Sequence, residues 1–130
     1  MKISVSSYSF YQYVRAGKLT LVELPKLAHD IGIKETGILV SCSDYHIFYK
    51  MKMTRRECME HYLSVIRECL ETGVAPRCHL EDITRSDIHG FVIPFCRELM
   101  KLQEQYNIPV KIRACDTMGY GVNFSGAVIP

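Results

Sequence analysis

Residues 37–50 read GILVSCSDYHIFYK: an unbroken apolar run, GILVS, gives way to a polar and aromatic stretch. A continuous apolar run of that length predicts a strand buried on both faces, as in parallel sheets covered by helices. The polar residues behind it then form a loop at the strand's C-terminal end. The same scheme recurs on either side. Residues 2–7 (KISVSS) alternate as a first short strand, residues 75–80 (APRCHL) read as a third, and residues 110–115 (VKIRAC) as a fourth, after Pro109.

Helices fill the gaps. Thr20 with Glu23 three residues later makes a capping box, Leu21, Leu24, Leu27 and Ala28 mark an apolar face, and Gly32 follows the end. Thr54 and Glu57 repeat that signature before a helix over residues 55–72, which Gly73 closes. Cys58, Tyr62, Val65, Ile66, Cys69 and Leu70 recur on it at helical spacing. A last helix is predicted over residues 88–106, with Pro94 either kinking it or marking its start. Residues 7–18 (SYSFYQYVRAGK) read as a polar, aromatic stretch and 81–87 (EDITRSD) as a polar loop, and the glycine-rich tail from Asp116 shows no further helix. Strand–helix alternation argues for βαβ units and a parallel sheet. Two α/β architectures fit, a half-barrel and a small doubly wound sheet. The 130 residues are enough for a core. They fall short of the roughly 250 of a complete (β/α)₈ barrel.

Composition excludes other classes. Hydrophobic residues at 48% and charged residues at 23% describe a globular chain rather than a disordered one. A net charge of +2 is only weak support for nucleic-acid or membrane binding, and Lys50, Lys52, Arg55 and Arg56 read as a solvated face beside a helix start. The six cysteines form no C-x-x-C pair, which argues against a zinc knuckle. With no signal-peptide pattern after Met1 and no apolar stretch near 18 residues, the expectation is a cytoplasmic protein with reduced thiols and no membrane span.

Three polar clusters fall at predicted strand ends: residues 41–46 (SCSDYH), 81–85 (EDITR) and 116–121 (DTMGYG). In parallel α/β folds ligands bind at that end of the sheet. Each cluster also has an ordinary structural reading. Ser43, Asp82 and Asp87 are good helix caps, Glu81 and Arg85 have opposite charges to pair, and His46 suits any loop.

The three segments GILVSCSDYHIFYKMKMTRREC, RCHLEDITRSDI and VKIRACDTMGYGV resemble successive strand–loop units of the 2-isopropylmalate synthase and homocitrate synthase family. That family also takes in hydroxymethylglutaryl-CoA lyase-like enzymes. The resemblance covers about residues 34–130. It implies a partial TIM barrel of about four parallel strands with outer helices. It also implies an acyltransferase that condenses acetyl-CoA with a 2-oxo acid using a divalent metal (Mg, Mn or Zn). By resemblance His46 and Glu81 are catalytic, and Ser43, Arg85, Asp116 and Thr117 bind substrate. A histidine to move a proton and a carboxylate and hydroxyl to orient a 2-oxo acid suit that chemistry.

The family's first strand carries an arginine and a metal-binding aspartate, which nothing at this N-terminus matches. Its later H-x-H metal pair is not supplied by His79 or His89. No metal ligands are therefore assigned, and the chain is expected to be an inactive fragment on its own. Residues 1–33 resemble a different source, the opening strand and helix of sugar-phosphate isomerase/epimerase barrels. The sequence thus reads as two segments, 1–33 and 34–130, joined at Ile33–Lys34. Two other functions remain open: a non-catalytic half-barrel that self-associates, and an isomerase fragment. A homo-oligomer is expected in any case, because half a barrel leaves edge strands unpaired.

Overall fold

A computed structural model describes residues 5–20 and 23–121. Its elements run β1 (Val5–Ser6), α1 (Tyr11–Arg15), α2 (Glu23–Asp30), β2 (Glu35–Ser41), α3 (Arg55–Glu71), β3 (Ala75–Glu81), α4 (Ile93–Tyr106) and β4 (Lys111–Cys115). The strands form one parallel sheet in the order β1-β2-β3-β4. Three are of full length, and β1 adds two residues beside β2. Ser41 pairs with Glu81, and Glu81 with Cys115, so the long strands end level. That level edge is where the polar clusters emerge. Residues 2–4 of the expected first strand, Leu21 of the expected helix face and tail residues 122–130 lie outside the described residues.

Local chemistry accounts for the helix boundaries. The Thr54 hydroxyl accepts from Glu57 N at 3.2 Å while the Glu57 carboxylate accepts from Thr54 N at 2.7 Å, a complete capping box at the start of α3. At its far end Gly73 turns the chain at φ 77°, a conformation that costs glycine nothing. Glu23 likewise accepts from Thr20 N and Oγ, at 2.8 and 2.7 Å, ahead of α2. Pro94 stands in the first turn of α4, where no backbone donor is missed, and a π-helical turn over Ile88–Val92 precedes it.

The core lies on one face of the sheet. Val40 from β2 and Cys78 and Leu80 from β3 meet Cys58, Ile66 and Leu70 of α3 and Phe95 and Leu99 of α4. Phe91 and Phe95 stack with centroids 6.0 Å apart and are fully buried. On β3 buried residues alternate with half-buried ones.

Three expectations need correction. The GILVS strand is not buried on both faces, because Leu39 is 56% exposed on the side away from α3 and α4. The polar, aromatic stretch 7–18, given no element from its sequence, holds regular structure: Ser7–Phe10 form a 3₁₀ turn that leads into α1. Finally, the loop after β2 contains a π-helical turn over His46–Lys50, anchored by the fully buried Ile47. No helix among the described residues is long and apolar enough to cross a membrane.

Candidate functional site

Glu81 closes β3, and its carboxylate collects the nearest polar groups of the strand beside it. Oε2 accepts from Ser41 Oγ at 3.2 Å and from Lys50 Nζ at 2.6 Å. His46 Nδ1 lies 3.4 Å from the same oxygen. That contact falls short of hydrogen-bond geometry, and the buried Nδ1 has no other partner among the described residues. His46 and Lys50 open and close one π-helical turn, so the turn itself aims both at Glu81. The Glu81 and His46 side chains are 17% and 15% exposed, a semi-enclosed pair with one open side.

The residue after Glu81 builds the floor. Asp82 adopts a left-handed φ of 63°, which swings its fully buried carboxylate under the loop. Arg85 Nε donates to both its oxygens at 2.9 Å and Nη2 donates at 2.6 Å. The Arg85 guanidinium holds the Asp82 carboxyl below the usual aspartate range, against the opposing effect of burial. Asp82 N donates to Thr117 Oγ at 2.8 Å and so ties the end of β4 to the end of β3. Cys42 beside it is inert as a nucleophile: burial pushes its thiol up to about 12, and Ser86 Oγ donates to its sulfur at 3.0 Å.

A second network braces the two loops. Arg55, in the first turn of α3, donates from Nε and Nη2 to Asp44 at 2.7 and 2.6 Å. From Nη1 it donates to Asp87 at 2.7 Å. Asp87 also caps the next turn by accepting from Gly90 N at 2.7 Å. A side chain at position 90 would push this pair aside, because its Cβ would stand 2.4 Å from Asp87 Oδ2 and 2.9 Å from Arg55 Nη1. The loop bearing His46 and the loop bearing Arg85 are thereby locked together.

His46, Glu81, Arg85 and Thr117 all stand at the C-terminal end of the sheet. Their bonds are not all those anticipated. Arg85 pairs with Asp82 rather than Glu81. Ser43 accepts from His46 N at 3.3 Å and Asp87 caps as expected, whereas Asp82 caps nothing. Asp116 is turned onto its own loop, accepting from Tyr120 N at 2.9 Å and Gly121 N at 2.8 Å. Lys50 and Arg55, expected on a solvated face, instead bond to Glu81 and to Asp44 and Asp87. The signal for Lys50 was its i, i+4 spacing from His46.

The residues present do not fit a divalent metal by themselves. The Lys50 ammonium already occupies Glu81 Oε2, and both Asp116 oxygens hold backbone donors. No group of three or more His, Cys, Asp or Glu side chains converges among the described residues.

The arrangement defines a parallel α/β protein with an acid–imidazole–ammonium cluster at the carboxyl edge of its strands. Similar proteins place it further. The chain is 60% identical over 118 residues to a citrate (Re)-synthase of Clostridium kluyveri, covering 91% of this chain and 25% of that protein. It is 58% identical over 104 residues to a citrate (Re)-synthase of Syntrophus aciditrophicus, covering 80% of this chain and 16% of that protein. A 2-phosphinomethylmalate synthase of Streptomyces hygroscopicus is 38% identical over 108 residues, 81% of this chain and 24% of that protein. The chain thus spans a quarter or less of these curated relatives. No family model matches it. The chain belongs to the 2-isopropylmalate and homocitrate synthase family.

Proposed function

We propose that this chain forms part of a synthase that condenses acetyl-CoA with a 2-oxo acid, and that the acid is oxaloacetate and the product citrate. The observation that carries the reading is the convergence of His46, Lys50 and Glu81 on one carboxylate oxygen at the strand ends. The two relatives near 60% identity, both named citrate (Re)-synthase, favour citrate.

In this reading a proton leaves the acetyl methyl group, the resulting enolate carbon bonds to the keto carbon, and the alkoxide takes up a proton. Water then cleaves the thioester, giving citrate and free coenzyme A. His46 moves the proton, with Glu81 orienting the imidazole. The Lys50 ammonium beside Glu81 offsets negative charge as it develops. Thr117 and Arg85 face the 2-oxo acid, Arg85 through the Nη1 that the Asp82 pair leaves over. Ser43 and Asp116 shape the loops that carry these groups. The family's divalent metal would polarise a keto group when bound, but the described residues of this chain do not build its site.

The four parallel strands are read as part of a (β/α)₈ barrel that closes in the whole enzyme. Residues 34–130 number 97, so a match of 118 residues takes in at least 21 residues before Lys34. That favours one continuous barrel segment over a join at Ile33–Lys34. The enzyme is read as cytoplasmic and self-associating.

The chain alone should release no thiol from acetyl-CoA. The decisive test exchanges it for the aligned stretch of the Clostridium kluyveri synthase. The chimera should form citrate from oxaloacetate and acetyl-CoA. Turnover with 2-oxoisovalerate but not oxaloacetate would overturn the citrate reading. A folded chimera inactive with every 2-oxo acid would overturn the synthase reading itself.

A further inference from the structure

Twelve large hydrophobic side chains are exposed among the described residues, and five of them gather at the carboxyl edge of the sheet: Tyr45, Phe48, Tyr49, Met118 and Tyr120. Exposed aromatic surface concentrated beside a site signals a binding role. Three of these groups sit on or next to the π-helical turn that presents His46 and Lys50 to Glu81.

Arg85, Tyr45 and Tyr49 form a series of tilted contacts. The Arg85 guanidinium carbon lies 5.3 Å from the Tyr45 ring centroid. The Tyr45 and Tyr49 centroids are 5.4 Å apart, with the planes inclined by 43°. Tyr49 ends the series and is 67% exposed, which leaves ring surface open to solvent. Lys52 follows three residues later at φ 58°, a left-handed conformation rare and strained for lysine. Lys52 is exposed, and its ammonium has no partner among the described residues. Lys50, between the two, reaches Glu81 instead. One short stretch therefore directs a cation inward to the acid and sets an aromatic face and a second cation outward.

An exposed aromatic ring with an unpaired ammonium three residues along the chain suits a flat heteroaromatic ring bearing phosphates. We infer that Tyr49 and Lys52 seat the nucleotide end of coenzyme A, the adenine stacked on Tyr49 and a phosphate at Lys52. The inference rests on the acetyl-CoA reading above and deepens it. The pantetheine arm then runs from Tyr49 across the turn to Glu81 and His46, where the acetyl group reacts.

Calorimetric titration of the full 130-residue chain with adenosine 3′,5′-bisphosphate, coenzyme A, ATP and pantetheine tests this. The bisphosphate and coenzyme A should bind, and pantetheine should bind far more weakly. Tyr49→Ala should weaken bisphosphate binding about tenfold, and Tyr49→Phe should leave it within about twofold. Lys52→Ala should weaken it several-fold and lower the salt dependence by about one phosphate contact. Far-UV circular dichroism should show every variant folded, since both side chains are exposed. Affinity unchanged in folded Tyr49→Ala, or no binding of either nucleotide, overturns the inference. ATP binding tighter than the bisphosphate overturns the assignment to coenzyme A. Failure of the seat leaves citrate formation by the chimera standing. An inactive chimera combined with Tyr49-dependent nucleotide binding sinks the reaction and keeps the seat.

Discussion

On the helix side of the sheet Val40, Cys78 and Leu80 are at most 2% exposed, whereas Leu39, next to Val40 on the opposite face, is 56% exposed. The two faces share strands and register but not chemistry. The helix side is a close-packed apolar layer sealed by α3 and α4. The open side carries Glu35, Arg77, His79 and Glu81, with Lys111 and Arg77 both paired to Glu35. The sealed face fixes where the strands end, and the open face brings charged groups to that edge. The apolar core and the charged groups thus occupy opposite faces of the same strands.

The comparison breaks first at the core. Phe95→Ala should destabilise the chain by about 3–5 kcal/mol, because a fully buried ring leaves a cavity. Leu39→Ala, on the open face, should change stability by less than about 0.5 kcal/mol. Urea unfolding of both variants checks the contrast, and equal losses would mean that the open face is covered in solution.

Asp82 comes next, since it belongs to the site yet is buried like the core. Removing it with Asp82→Ala should cost about 2 kcal/mol, the scale of buried hydrogen bonds to a charged group. The effect should depend on pH. Arg85 holds the folded carboxyl below the ordinary 3.8. A depressed folded value contributes stability that is complete above the unfolded value and lost as pH falls through the folded one. Wild-type stability should therefore decline below about pH 4 with a steeper slope than that of Asp82→Asn. Parallel slopes would remove Asp82 from the account.

The Arg55 brace is the smallest effect. Its side chain is 35% exposed and its partners 44% and 38%, so solvent screens both pairs. Arg55→Ala should cost about 1 kcal/mol. Its larger signature is faster hydrogen exchange in residues 43–46 and 86–90 with little change in α4. Arg55→Lys should restore little, because an ammonium cannot donate to both loops as the planar guanidinium does.

The strands and main helices were legible because each has a local cause: the Thr54–Glu57 box, Gly73, and the alternation along β3. Three other features were not. The openness of the inner face depends on what covers it, which no residue within GILVS encodes. The turn over His46–Lys50 spans five residues, too few for periodicity to separate it from a loop. Lys50 therefore looked like one of four solvated cations, although its spacing from His46 was in plain view. Asp82 looked like a cap because its type is a good one. Its left-handed backbone and the arginine three residues on bury it instead. Family resemblance located Glu81 and His46, but Lys50 on their shared oxygen emerged from the fold.

In the proposed reaction Glu81, at the end of β3, orients His46 for proton transfer. That role is tested most directly by Glu81→Ala in the chimera with the Clostridium kluyveri synthase, assayed by thiol release from acetyl-CoA with oxaloacetate. The account predicts a fall in kcat of at least about 100-fold, the scale of a lost general acid–base group, with circular dichroism unchanged. A folded Glu81→Ala chimera with kcat within about twofold of its parent would contradict it.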